Sequence, residues 1–392
     1  MLPLFMLAHF GHHLVTALPI PLLPMLRADF ALDYAQSGLL ISAFTLSYGM
    51  SQIPAGWLAD RIGPRLLITI GLCGVALAGL LVGLSPGYGV TALFFSIMGV
   101  MGGGYHPAAP PLISAAVAPE NRGRAMGFHM VAGATPYFLA PLMAVAIAGF
   151  WGWRGAFITL AVPTFVFGVI LYIYLGRLPG RKRTERPSEK PHLQGHPSKG
   201  RLRSLFPFVF LSSFTHAVTF ATITFIPLFI IARFGIDKET ASALLSIFYS
   251  AGLWASLMGG ALSDRIGGVP VVLGVCFLAG PLIALFTQVD YGLGIWCLLL
   301  GLGITLYVRT PVSEAYIVGQ TGGRSDSTIL GIYYFANIDG VGILTPVMGF
   351  FIDRCGFDTT FIASGIILVA LTLVCGILLV GNQIQKDSTR NL

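Results

Sequence analysis

Long apolar segments, separated by short polar turns, follow one another along almost the whole chain. Crossing a bilayer takes about 20 mostly apolar residues in a helix. Segments such as 66–84 are apolar on every face and lack the alternation typical of barrel strands. The pattern therefore predicts an all-α membrane protein with twelve transmembrane helices. Their approximate bounds are 4–26, 35–58, 65–85, 89–117, 125–148, 155–177, 206–231, 240–262, 269–288, 291–318, 328–351 and 359–381.

One long polar segment interrupts this pattern. The stretch from Arg177 to Arg203 is rich in Arg, Lys, Pro and Gly, and we interpret it as a flexible linker on the membrane surface. The sequence therefore predicts two bundles of six helices joined by this linker. The predicted boundaries are 1–177 for the first bundle, 178–205 for the linker, 206–383 for the second bundle and 384–392 for a tail.

Charge is scarce and lies mainly on one side. Only 10% of the 392 residues are charged and 55% are hydrophobic, whereas soluble domains carry roughly a quarter charged residues. Of the 23 Lys and Arg residues, 17 fall in segments on the side of the linker and five on the other side. This bias predicts that both termini are cytoplasmic, in a bacterial inner (plasma) membrane. The net charge of +7 thus reflects orientation rather than nucleic-acid binding.

A charged, glycine-punctuated motif occurs twice, 204 positions apart. The first copy, at 56–65, reads GWLADRIGPR, and the second, at 260–267, reads GALSDRIG. Gly63 and Gly267 allow the sharp turn that a short loop between two spans requires. The same offset pairs Phe10 with Phe214, His12 with His216, Asp33 with Asp237, Pro107 with Pro311 and Gly127 with Gly331. The chain is therefore a parallel repeat of two halves.

The motif resembles the signature loop of the major facilitator superfamily, G-x-L-[AS]-D-[RK]-x-G-[RK]-[RK], and the resemblance covers essentially the whole chain. It implies two pseudo-symmetric six-helix bundles, with a substrate site at their interface built from helices one, four, seven and ten. In this family the loop latches the two halves in the outward-facing state. The resemblance assigns that conformational role to Gly56, Asp60, Arg61, Gly63, Asp264 and Arg265.

A narrower resemblance concerns the first and fourth helices. The early histidines, the run LLPMLRADF at 22–30 and Tyr105-His106-Pro107 are similar to exporters of the fosmidomycin-resistance type. That resemblance, and the drug/proton-antiporter pattern generally, implies proton-coupled efflux. However, Phe95 stands where many drug exporters carry an arginine, and Ala108 stands where the narrower group tends to have glutamate. The usual proton relay therefore does not carry over.

Arg309 is the one cation predicted at membrane depth. Ionisable residues inside spans are costly and mark functional sites by default, and arginine cannot lose its proton. We interpret Arg309 as an anchor for an anionic group of the substrate, or as a partner that alternates between substrate and Glu314 or Asp339. A permanent structural salt bridge is the alternative. Asp339 and Glu314 are predicted to couple transport to protons, since a carboxyl can take up a proton where it is desolvated.

Histidines and tyrosines provide the remaining candidate groups. His9, His12 and His13 have helical spacing that brings their side chains together, and histidine exchanges protons near neutral pH. We predict proton coupling for His9 and His13. Substrate contacts are predicted for His12, Tyr105, His106, His216 and Tyr307. Hydrogen bonding to opened helix backbones is the structural alternative. Binding of a transition metal is a further alternative, although we predict no metal site here.

The absence of a Walker loop and of hydrolase or zinc-protease motifs argues against ATP-driven transport and against an enzyme. The sequence predicts a monomeric secondary transporter, without a cofactor, that moves a small organic molecule by alternating access, with proton-coupled efflux as the leading function. An organic-anion symporter or facilitator that imports its substrate is the first alternative. A non-transporting membrane receptor of the same fold is the second.

Overall fold

A computed structural model describes residues 2–118, 121–177, 199–321 and 326–390, and these are helical almost throughout, with no β-strand among them. We number the spanning helices in chain order. They are α1 (Leu2–Thr16 and Pro19–Asp29), α2 (Tyr34–Ile62), α3 (Pro64–Gly83), α4 (Tyr88–Gly102 and Tyr105–Ala116), α5 and α6 (both within Arg122–Arg177), α7 (Lys199–Phe234), α8 (Lys238–Ala243, Leu245–Ser250 and Ala255–Ile266), α9 (Gly268–Leu285), α10 (Leu293–Thr321), and α11 and α12 (both within Asp326–Arg390).

Length and hydropathy agree with twelve spans. Seven helices in the described residues are long and apolar enough to cross a membrane, and the bent α8 adds an eighth. Two of the seven, Arg124–Arg177 and Gly331–Leu379, are 54 and 49 residues long, more than twice the length of about 20 residues that one span needs. Each of these breaks at a glycine, Gly152 or Gly356, and therefore holds two spans. The helix α2 and the broken α4 complete the twelve.

The motif between α2 and α3 is mostly helix, which corrects the prediction of a loop. The helix α2 continues to Ile62 and α3 begins at Pro64, so Gly63 alone makes the turn, with φ at 86°. Gly267 does the same between α8 and α9, with φ at 89°. Such positive φ values cost glycine little, and the predicted role of both glycines as turn residues is confirmed.

Two predicted boundaries also differ from the structure. The helix α7 begins at Lys199, inside the segment predicted as linker, and α12 continues to Arg390, inside the segment predicted as tail. Both segments are polar, and apolar span length alone gave no sign that helix extends beyond the membrane-crossing part. Residues 178–198 of the predicted linker lie outside the described residues.

Residues 204 positions apart make equivalent contacts across the boundary between the two halves. The hydroxyl of Ser42 in α2 donates to the carbonyl oxygen of Gly342 in α11, at 2.5 Å. The hydroxyl of Ser246 in α8 donates to the carbonyl oxygen of Phe138 in α5, at 2.9 Å. Both the donors and the acceptors are repeat-related pairs. The contacts therefore relate the halves by an approximate two-fold, with α2 facing α11 and α8 facing α5.

The two halves pack together at the end of the bundle opposite the termini. There the Asp353 carboxylate of the second half accepts hydrogen bonds from the backbone nitrogens of Tyr34 and Ala35, at 3.0 and 2.8 Å. It thereby caps the N-terminus of α2, where the first backbone N–H groups lack helical partners. On the other side of the bundle, the rings of Tyr137 in α5 and Tyr249 in α8 lie 5.7 Å apart.

The same helix faces are exposed toward the end that carries the termini. On α2, the face that packs against α11 continues to Ile53 and Trp57, which are 69% and 57% exposed. On α8, the face that packs against α5 continues to Leu253 and Leu257, of which Leu257 is 79% exposed. The halves thus diverge along these faces, and the cleft between them is closed at one end and open at the other.

Candidate functional site

Arg309 in α10 is the centre of a polar cluster in the second half. Its side chain is only 1% exposed. Nη1 donates to the carbonyl oxygen of Ser212 and to the hydroxyl of Tyr333, both at 2.9 Å, and Nη2 contacts Nδ1 of His216 at 2.8 Å. Longer contacts reach Thr310 and Asn337, at 3.3 and 3.4 Å. The helices α7, α10 and α11 therefore hold the guanidinium from three sides.

No carboxylate among the described side chains pairs with Arg309. Glu314, half-buried one turn further along α10, hydrogen-bonds Tyr334 instead, and Asp339 lies elsewhere on α11. Among the described side chains Arg309 thus forms neither the structural salt bridge left open by the sequence nor a pair with Glu314 or Asp339. Neutral acceptors satisfy N–H groups but leave the net charge in place, and a buried charge without a counter-ion is costly. The Nε of Arg309 is also buried without an acceptor.

A cluster of histidines occupies the corresponding region of the first half. Its rings come from α1, α4 and α5, and neighbouring centroids lie 4.1 to 6.1 Å apart. The members are His9, His12, His13, Tyr105, His106, His129 and Tyr137. The three histidines of α1 and His106 of α4 therefore lie in one cluster. One nitrogen from each of His9, His13 and His106 can be chosen so that all three lie within 4.8 Å of one another.

The two clusters occupy repeat-related positions. His12 stacks on Tyr105 with centroids 4.7 Å apart, and the residues 204 positions later are His216 and Arg309, which are also in contact. His129 corresponds likewise to Tyr333, which binds Arg309. Equivalent positions on the first, fourth and fifth helices thus carry histidines and a tyrosine in the first half, and Arg309 with its hydrogen-bond partners in the second half.

Sequence reasoning missed several members of these clusters. Ser212, Asn337 and Tyr137 were not among the predicted site residues, because serine, asparagine and tyrosine carry no charge that marks them within an apolar segment. In the structure Asn337 is the repeat partner of Gly133, which packs closely against the His9 ring.

Asp339 lies at the junction of the two halves. Its side chain is 4% exposed, and both carboxylate oxygens are buried without a hydrogen-bond partner. It packs against Gly49 of α2 so closely that a Cβ at that position would collide with the carboxylate. Asp339 therefore sits where α2 and α11 are in contact, near the point beyond which their facing surfaces become exposed.

The remaining predicted site residues lie apart from the two clusters. Tyr307 packs against Gly252 at the contact between α8 and α10. Of the predicted latch, the guanidinium of Arg61 lies 3.9 Å above the ring of Trp57 on its own helix, and Asp264 and Arg265 are exposed. Gly56 and Asp60 are described only as helix backbone.

A family model and the amino-acid sequences of known proteins match this chain. The model described as Major Facilitator Superfamily matches residues 5–337 and 208–390. A probable sulfoacetate transporter of Cupriavidus necator is 25% identical over 375 residues, covering 88% of this chain and 85% of that protein. A probable hexose phosphate transport protein of Chlamydia pneumoniae is 28% identical over 305 residues, covering 70% of this chain and 65% of that protein's own length.

Solved structures show the same fold. A crystal structure of a POT family transporter in complex with 5-aminolevulinic acid superposes with a TM-score of 0.80, at 13% identity, over 96% of this chain and 95% of that one. The predicted fold of twelve helices in two pseudo-symmetric bundles is confirmed, as is the superfamily resemblance. The narrower resemblance to fosmidomycin-resistance exporters stays a prediction.

Proposed function

Because the chain belongs to the Major Facilitator Superfamily, and its relatives are named as transporters, we propose that it moves a small organic anion across the membrane by alternating access. The protein is a multi-pass membrane transporter and not an enzyme. Substrate class, coupling and direction are the finer parts of the proposal, and each rests on a different feature of the chain.

The observation that carries the substrate class is the uncompensated charge of Arg309. The guanidinium is held by neutral acceptors and is buried within the second half. An anion that reaches Nη2 beside His216 and Thr310 supplies the missing negative charge. Such charge-assisted hydrogen bonds are roughly twice as strong as neutral ones, so a carboxylate, sulfonate or phosphate ester fits this site better than a neutral or cationic molecule.

The names of the relatives point the same way. Sulfoacetate and hexose phosphates are small organic anions, and the chain matches 85% of the first protein and 65% of the second. Those proteins are named for the molecules they carry, and a similar substrate class is our proposal for this chain. The names give no direction of flux. The efflux predicted from the resemblance to drug exporters stays a prediction that flux measurements decide.

Asp339 is the proposed coupling group. Its carboxyl lies between α2 and α11 with no hydrogen-bond partner, and a charged carboxylate in that place is costly. Protonation removes the cost, which lets the two helices stay in contact. When the halves separate there, water reaches the carboxyl and the proton can leave. Proton binding at Asp339 would thus be linked to the contact between α2 of the first half and α11 of the second.

The bias of basic residues toward the linker's side supports the proposal that both termini are cytoplasmic. In that orientation the open end of the cleft faces the cytoplasm, and the structure represents an inward-facing state. In that state the second copy of the signature motif, with Asp264 and Arg265 exposed, does not latch the two halves together. The family's latch would engage only when the halves close on this side.

A ligand-stabilisation screen on the purified protein tests the substrate class. The panel holds sulfoacetate, a hexose 6-phosphate and a sugar acid, with the neutral hexose and an organic amine as controls, each at two pH values. We expect a rise in Tm with at least one anion and none with the controls. Stabilisation by the amine or neutral hexose alone would overturn the proposal. A receptor would bind the anion yet show no counterflow in proteoliposomes, which separates it from a transporter.

A further inference from the structure

The histidine cluster of the first half contains a ring nitrogen that the protein leaves free. Nδ1 of His9 lies 2.8 Å from the carbonyl oxygen of His129. A carbonyl only accepts, so Nδ1 of His9 carries the proton and donates. In the neutral ring this leaves the lone pair on Nε2, and Nε2 is buried without any partner, in a side chain that is 2% exposed.

This arrangement is typical of metal-binding histidines. Such residues usually donate one ring N–H to a carbonyl or carboxylate, which fixes the orientation of the ring and leaves the other nitrogen for the metal. Nδ1 of His13 lies 3.1 Å from the hydroxyl of Tyr137, and in the tautomer in which Nδ1 donates to that hydroxyl, the lone pair on Nε2 is left for the metal. The structural alternative, in which the histidines satisfy opened helix backbone, accounts for Nδ1 of His9 but not for its buried, unpartnered Nε2.

Three imidazoles converge at this place. One ring nitrogen, Nδ1 or Nε2, from each of His9, His13 and His106 lies within 4.8 Å of the other two. Zinc–nitrogen bonds of about 2.0–2.1 Å place tetrahedral ligands about 3.4 Å apart, so the three rings need to move together by about 1.4 Å. Metal binding therefore requires the side chains on α1 and α4 to rotate toward one another by that amount. Imidazole is a preferred ligand for Zn²⁺, Co²⁺, Ni²⁺ and Cu²⁺.

We propose that His9, His13 and His106 bind a divalent transition-metal ion, and that the transported anion takes an open coordination position on it. This second part rests on the proposed function. Within the described part of the chain, no hydrogen bond or ring contact of the cluster is with a carboxylate, so a bound dication needs an anion for charge balance. The clusters around His106 and Arg309 lie at repeat-related positions on α4 and α10, on the two halves that enclose the cleft. One anion between them would meet the metal on one side and the guanidinium on the other.

Metal binding is tested on the purified full-length chain in detergent, with Co²⁺ and Zn²⁺ as the probes and no added anion. His192 and His196, outside the described residues, are first replaced by alanine so that they cannot contribute. In that background we expect one tightly held Co²⁺ per chain, with the visible absorption of a low-symmetry site and imidazole ligation in the X-ray absorption spectrum. His13→Gln and His106→Gln should each weaken Co²⁺ binding at least tenfold.

His129→Gln is the matched control, because its ring lies in the same cluster while only its backbone carbonyl serves the site. It should retain Co²⁺ binding. Elution as a single species in size exclusion, and Tm within a few degrees of the parent, identify variants that remain folded. Absence of Co²⁺ binding in the parent, or equal affinity in the folded His13→Gln and His106→Gln variants, overturns the metal site.

The role of the anion is tested separately. Adding the anion that stabilises the protein best should tighten Co²⁺ binding and change its absorption spectrum, and this effect should be lost in Arg309→Ala. An unchanged spectrum would overturn the shared site while leaving the metal site in place. If no anion binds at all but Co²⁺ still does, the proposed function fails and the three-histidine site stands on its own.

Discussion

Arg309 and His216 are joined by a hydrogen bond of 2.8 Å between Nη2 and Nδ1. Arginine has no acceptor and remains protonated, so the histidine nitrogen must accept, and His216 is neutral with its proton on Nε2. The guanidinium therefore selects the tautomer of the histidine, and the Nε2–H becomes a further donor beside the buried charge. Two adjacent donors and one positive charge form a site complementary to an oxyanion.

Replacing His216 tests this relationship. His216→Leu removes the acceptor and leaves a charged N–H group buried without a partner, so we expect the free energy of unfolding to fall by about 1.5–3 kcal/mol. His216→Gln keeps an acceptor oxygen and should lose less than half as much. Thermal unfolding in detergent measures both variants. Equal stability of the leucine and glutamine variants would show that the contact does not hold the arginine.

Asp339→Asn is expected to separate transport from the proton gradient. The amide imitates the protonated carboxyl in shape and cannot release a proton, so separation of α2 and α11 should no longer depend on pH. In proteoliposomes we expect exchange of anion for anion to continue while uptake no longer responds to an imposed pH gradient. A matched variant on the same helix, Thr345→Val, should keep the response. An unchanged pH response in Asp339→Asn would make Asp339 a packing residue.

Asp353→Ala is expected to open the closed end of the cleft. The carboxylate caps α2 from the opposite half, and loss of a helix cap costs about 1 kcal/mol. Since this cap exists only while the halves touch, its loss should shift the population away from the closed state about fivefold. Distances between spin labels on α2 and α11, measured at the closed end, report the change.

The control for that experiment is Asp237→Ala. Asp237 caps α8 within its own half, accepting from the backbone nitrogen of Thr240 at 2.7 Å. Its removal should lower stability by a similar amount without changing the label distances. If both variants change the distances equally, or neither does, the cap from Asp353 does not hold the halves together.

Two ion pairs lie at repeat-related positions, and the acid and the base have changed places between them. Asp29 pairs with Arg154 at 2.6 Å, and the positions 204 residues later hold Arg233 and Asp358, paired at 3.4 Å. Asp29→Arg with Arg154→Asp should therefore recover much of the stability that either single variant loses. The side chains are 36% and 43% exposed, so the losses should not exceed about 1 kcal/mol. Failure of the double variant to recover any stability would contradict the equivalence of the two pairs.

The same pair gives a pH dependence. The hydrogen bond from Arg154 holds the pKa of Asp29, which lies at the end of α1 beyond the predicted apolar span 4–26, below its usual value. The pair's contribution to stability is therefore full at neutral pH and is lost as the pH falls through the lowered pKa of the folded protein. Asp29→Asn should remove this acid-dependent part, as measured by Tm between neutral and acidic pH. A Tm profile identical to that of the parent would show that Asp29 does not contribute.

The fold could be predicted largely from sequence, because the bilayer thickness sets the length of each span and the repeat shows which helices of the two halves are equivalent. The two motif copies and the offset of 204 residues are enough to pair His12 with His216 as equivalent positions of the two halves. Helix ends were less predictable. The helix continues through Asp60 to Ile62, because a charged residue at the membrane surface interrupts the apolar pattern without interrupting the backbone hydrogen bonds.

The site was only partly predictable, for a related reason. Arg309 and the histidines stand out in apolar segments because burying them is costly. The groups that hold Arg309 are neutral and blend into a helix, so Ser212 and Asn337 gave no comparable signal. Whether Arg309 meets an acid depends on packing: Glu314, five residues away on α10, bonds Tyr334 instead. Sequence separation along one helix could not decide between these partners.

Calorimetric binding of the best-stabilising anion to the purified protein and to Arg309→Ala tests the central claim most directly. Arg154→Ala, which removes an arginine at the closed end, serves as the control. We expect Arg309→Ala to weaken binding by about tenfold to a hundredfold, the equivalent of the 1.5–3 kcal/mol of a charge-assisted hydrogen bond, while Arg154→Ala binds as the parent does. Equal affinity of the parent and a folded Arg309→Ala variant would contradict the account.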